Sequence, residues 1–92
     1  MDPFTIGAII AGLFLVGALS WQKIKSWLDG YRSRAKTARL IREALAGGKV
    51  KVNATVFNSS YLPIAEESWQ SDSIDGELES RFSEGNVAYI TI

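Results

Sequence analysis

FTIGAIIAGLFLVGALSW, residues 4–21, carries no charge, and Thr5 and Ser20 are its only hydroxyl side chains. As one helix it would be about 27 Å long, close to the roughly 30 Å hydrocarbon core of a bilayer. Three readings compete for it. A secretory signal peptide needs a basic start, and this chain opens Met1-Asp2-Pro3. A buried hairpin helix needs cover on every side, which little remaining chain can supply. A transmembrane helix is favoured by the flanks. Trp21 and Trp27 stand where an interfacial aromatic belt belongs, and Lys23 and Lys25 follow the apolar run. The positive-inside rule then puts the N-terminus outside and the rest of the chain in the cytoplasm.

On that expected helix the bulky Ile6, Ile9, Ile10, Leu13 and Val16 share one side. Gly7, Ala8, Ala11 and Gly12 lie on the other, in two overlapping small-xxx-small pairs. Small residues let helix backbones approach closely in lipid, so these four form the expected helix-packing face.

The net charge of zero over 92 residues conceals segregation. Residues 21–51 hold nine Lys and Arg against Asp29 and Glu43, whereas residues 52–92 hold seven carboxylates against Arg81. Apolar positions in the basic third recur mostly three or four apart, at Trp21, Ile24, Leu28, Tyr31, Ala35, Ala38 and Leu45. That spacing predicts helix, with a break at Asp29-Gly30, a second helix over residues 33–46, and Gly47-Gly48 as a left-handed stop. Lys23, Lys25, Arg32 and Arg34, with Trp21 and Trp27, would meet lipid headgroups, since anionic lipid attracts basic residues beside a membrane. Nucleic acid is the disfavoured alternative for the same charges.

The acidic third reads as β-structure. In KVKVNATVF, residues 49–57, Val50, Val52, Ala54 and Val56 share one face and Lys51, Asn53, Thr55 and Phe57 the other. NVAYITI, residues 86–92, predicts another strand after the turn Glu84-Gly85-Asn86. Between them fall a turn at residues 58–63, a middle strand near residues 68–74, a turn at Asp75-Gly76 and a short helix over residues 77–82.

The chemistry that the sequence argues against is broad. It contains no His and no Cys, which removes the commonest general base, the commonest metal ligands and any disulfide. Asp72, Asp75 and Glu77 in DSIDGE lack the spacing of an EF-hand loop. Glu66/Glu67 and Glu77/Glu79 are carboxylate pairs with no nucleophile or charge-shifting neighbour evident. Asn53-Ala54-Thr55 and Asn58-Ser59-Ser60 match glycosylation acceptors, which matter only in a lumenal compartment.

The expected architecture is therefore a membrane-anchored α+β protein. A transmembrane helix occupies residues 1–21, a basic amphipathic helical segment residues 22–48, and a small acidic domain with two to three strands residues 49–92. The expected function is non-enzymatic, with no cofactor, metal or small-molecule substrate. It is that of an accessory, anchoring or assembly subunit of a larger membrane complex. The expected partners are the bilayer and another membrane protein or copies of the chain. Two alternatives use the same features: a holin-like or toxin-like membrane effector, and a self-assembling coat or filament subunit.

Overall fold

The computed structural model describes residues 12–82 and 85–92. They form one five-stranded mixed sheet with two short helices. In chain order the elements are β1 (Gly12–Leu19), α1 (Trp21–Asp29), β2 (Thr37–Ala44), β3 (Val50–Phe57), β4 (Pro63–Ile74), α2 (Gly76–Glu79) and β5 (Val87–Thr91). The sheet order is β1-β4-β3-β2-β5. β1 lies parallel to β4, and every other neighbouring pair is antiparallel.

This architecture corrects the membrane-anchored α+β expectation, and with it the single-pass location. The end of the apolar stretch, Gly12 to Leu19, is a strand and not part of a spanning helix. No helix among the described residues is long and apolar enough to cross a membrane. The misreading has a physical cause. A continuous apolar run cannot be assigned to helix or strand by periodicity alone, and Gly12 to Leu19 holds no polar residue to mark a period of two. Ser20 marks the real boundary. It sits in extended conformation and its hydroxyl accepts from the Lys23 backbone N–H at 3.1 Å, capping a separate helix.

The second correction concerns residues 33–46. The expected helix is instead β2, followed by a tight loop into β3. Ala, Arg, Leu and Glu favour helix, but propensity is a weak prior that long-range pairing overrides. Here pairing on both flanks, to β3 and to β5, wins. Ala38 and Leu40 alternate inward and are fully buried. Gly47 and Gly48 do take left-handed backbone, with φ of 78° and 80°, but they turn a β-hairpin. Leu45 N–H donates to the Lys49 carbonyl at 2.8 Å to close that loop.

β3 follows the expected alternation. Val52, Ala54 and Val56 are fully buried, opposite Trp69, Glu67 and Ala65 of β4 and Arg42, Leu40 and Ala38 of β2. Against this face pack Trp21, Ile24 and Leu28, one stripe of α1, together with Leu78 and Phe82 from α2 and the 3₁₀ turn behind it. Burying each such aliphatic side chain contributes about 1.5–3 kcal/mol. Trp27 meets Trp69 edge-on at 5.7 Å between ring centroids, and the Arg42 guanidinium lies 4.8 Å above the Phe82 ring. Since Trp69 and Arg42 both neighbour Val52 in register, both helices cover the same face.

The other face carries its own polar carpet. Asn53 donates from Nδ2 to Glu66 Oε2 and to Ser68 Oγ, both at 2.9 Å, and the Arg39 guanidinium lies over Phe57. Those longer side chains bury Thr55 and Ser68 beneath them.

Candidate functional site

Of the residues singled out as a helix-packing face, Gly7, Ala8 and Ala11 lie outside the described residues. Gly12 is the first residue of β1 and stands opposite Glu67. Trp21 is a core residue with the Arg81 guanidinium 4.2 Å above its ring. Trp27 is half-buried between Tyr31 and Trp69. Lys23 and Lys25 are exposed on α1, and Arg32 and Arg34 on the turn that follows it. Lys25 pairs with Asp29 at 3.8 Å, and Arg34 lies over Tyr31. The basic residues thus gather around one helix and its following turn, while the aromatic residues among them are structural.

The arrangement with the most evident binding capacity is the free edge of β1. Among the described residues the strand pairs with β4 on one side only. It contains no charged residue and no proline. Phe14 is 53% exposed and Leu15 74% exposed. Natural sheets blunt such edges with charge, proline, bulges or cover, because unpaired backbone groups there template pairing with another chain. None of those devices is present within β1.

An open groove of about 630 Å³ runs beside this edge on the helix-covered face. Its apolar walls are Phe14, Val16, Trp27 and Trp69, and Lys23 stands at its rim. A smaller hollow flanks the same strand on the other face, between Leu15 and the Lys49–Asp72 ion pair. β1 therefore has room on both faces as well as along its edge.

Glu67 stands beside the Gly12 end of β1. It lies on the helix-covered face of β4, between Gly12 of β1 and Ala54 of β3. Its Oε2 has no hydrogen-bond partner among the described residues. Burial pushes its carboxyl above the ordinary range, since desolvation disfavours the charged form. The other end of β1 is tied down by Asp75. Asp75 N–H donates to the Leu19 carbonyl at 3.0 Å. Its carboxylate accepts from Leu78 N–H at 2.7 Å and from Trp21 N–H at 3.3 Å, so it caps α2 and braces the start of α1. The acidic turn around it is a fastening point. Among the described residues no group of three or more acidic side chains gathers as a metal site would require.

Two features escaped the sequence reading. The edge of β1 is hidden in the sequence because its uninterrupted apolar residues read as helix. The double role of Asp75 was hidden because its second partner lies 54 positions away. The Asp75-Gly76 turn signal followed by Leu78 was the available clue to the first role. Comparisons with known protein families, with curated proteins and with solved structures returned no match.

Proposed function

We propose that this protein is a non-enzymatic assembly or accessory subunit that joins a larger complex through the edge of β1. One observation carries the reading: an eight-residue strand, uncharged and free of proline, has an edge unpaired among the described residues, with Phe14 and Leu15 exposed. Strand addition suits such an edge. The backbone ladder supplies affinity, and side chains in flanking hollows supply selectivity. The lack of His and Cys in the sequence supports a binding role over a catalytic one. The membrane-spanning part of the sequence-based expectation falls with the helix on which it rested, and the assembly part stands on the strand instead.

Site-specific photocrosslinking in the expressing cell tests the proposal. A photoreactive amino acid at position 15 is expected to give a discrete protein adduct. The same group at position 89, on the exposed Tyr89 of β5, is expected to give none. Absence of any adduct from position 15 would overturn the assignment of β1 as the contact edge.

A further inference from the structure

We infer that the strand added to β1 is β1 of a second copy, run antiparallel about a two-fold axis, so that two five-stranded sheets become one of ten strands. The inference rests on the assembly reading above and names its occupant.

A two-fold contact must tolerate itself, because each residue meets the same surface it belongs to. β1 meets that condition over its whole length: between Gly12 and Leu19 there is no charge to face a like charge. β5 is also uncharged, but at five residues it offers a shorter ladder. The hollow beside Ile90–Ile92 is bordered by Lys25, Asp29 and Arg32. Directly opposed residues of an antiparallel pair share a face. Placing Leu15 against Leu15 of the second copy therefore puts Phe14 against its Val16, with both helical layers on one side. Phe14 and Val16 already line the groove beside β1. The second copy thus brings to the groove mouth the same apolar side chains that form its wall.

The test is sedimentation velocity on the purified full chain. The wild type is expected to run as a dimer. Leu15→Lys and Leu15→Glu each place like charges at the two-fold axis and are expected to weaken association at least about tenfold. Both should keep the wild-type circular dichroism spectrum, because Leu15 is largely exposed. An equimolar mixture of the two variants is expected to restore the dimer, which only pairing between copies at that register explains. Tyr89→Lys should remain dimeric. A monomeric wild type, or a mixture that stays monomeric, overturns the inference. A monomer that still gives adducts from position 15 in cells overturns the inference alone and identifies the occupant as a different protein. Open-ended oligomers abolished by Tyr89→Lys as well as Leu15→Lys also overturn it, in favour of head-to-tail addition of β1 to β5.

Discussion

The two edges of the sheet are built differently. β5 is five residues long and is held from several directions. Arg42 donates from its side chain to Asn86 Oδ1 and to the Gly85 carbonyl, and Arg42 N–H donates to the Asn86 carbonyl. Ile92 N–H donates to the Lys36 carbonyl, and charged groups of α1 and its following turn border the strand's far end. β1 is eight residues long, uncharged, and fastened chiefly at its Leu19 end through Asp75. Short length and nearby charge are the ordinary means of keeping an edge from pairing. β5 is the shorter and the more closely held of the two, and that contrast is why β1 is the edge proposed for contact.

Removing the fastening of β1 should have the largest effect. Asp75→Ala deletes the α2 cap and the brace on Trp21 N–H together, at a cost of about 2–3 kcal/mol. Hydrogen exchange should show protection lost over residues 13–24 well before residues 87–91. Simultaneous loss at both edges would mean they are not independent. Next in size, Arg42→Ala should cost about 1 kcal/mol through the lost stacking on Phe82 and the lost bonds to residues 85 and 86. It should loosen β5 while leaving association through β1 unchanged in sedimentation.

Glu67→Gln probes the Gly12 end of β1 through pH. A carboxyl raised above its ordinary range binds its proton better in the folded chain than in the unfolded one, so stability falls as pH rises past that range. At pH 7 the neutral amide should therefore raise the denaturation midpoint, and below the ordinary glutamate range the two proteins should converge. A difference that persists in acid would mean that charge is not the cause. The smallest effect is expected at Tyr61, far from both edges in role. It holds φ of 62°, in a loop where Asn58 Oδ1 accepts from Ser60 and Leu62 N–H. Tyr61→Gly should relieve that strain and change stability by only a few tenths of a kcal/mol, with neither edge altered in exchange or association.

Much of the acidic third was legible in the sequence. Val50, Val52, Ala54 and Val56 alternate because one face of β3 is packed and the other carries polar neighbours. The residue 58–63 turn, the Asp75-Gly76 turn, the short helix behind it and β5 follow from local signals of the same kind. β4 begins five residues earlier than its apolar pattern suggests, because Pro63 to Glu66 are held by β3 and not by their own periodicity. β1 and β2 were illegible for a shared reason. Each is decided by partners distant in sequence, β1 by β4 and β2 by β5 on its outer side. Their local composition speaks for helix. The candidate edge could not be seen before β1 was known to be a strand.

The parallel pairing of β1 also sets an order of events during synthesis. Gly12 waits for Glu67, about fifty-five residues later in the chain. At roughly 5–20 residues per second the apolar strand is made some 3–10 s before its neighbour exists. The β2–β3–β4 meander closes over short loops and can assemble as soon as it emerges. β1 cannot dock until that meander offers β4, so for those seconds its longest uncharged stretch has no intramolecular cover. The nascent chain is then most exposed to capture by chaperones, or by an identical strand on a neighbouring ribosome of the same message. The first-made of the described strands thus waits longest for its neighbour and is the earliest hazard met.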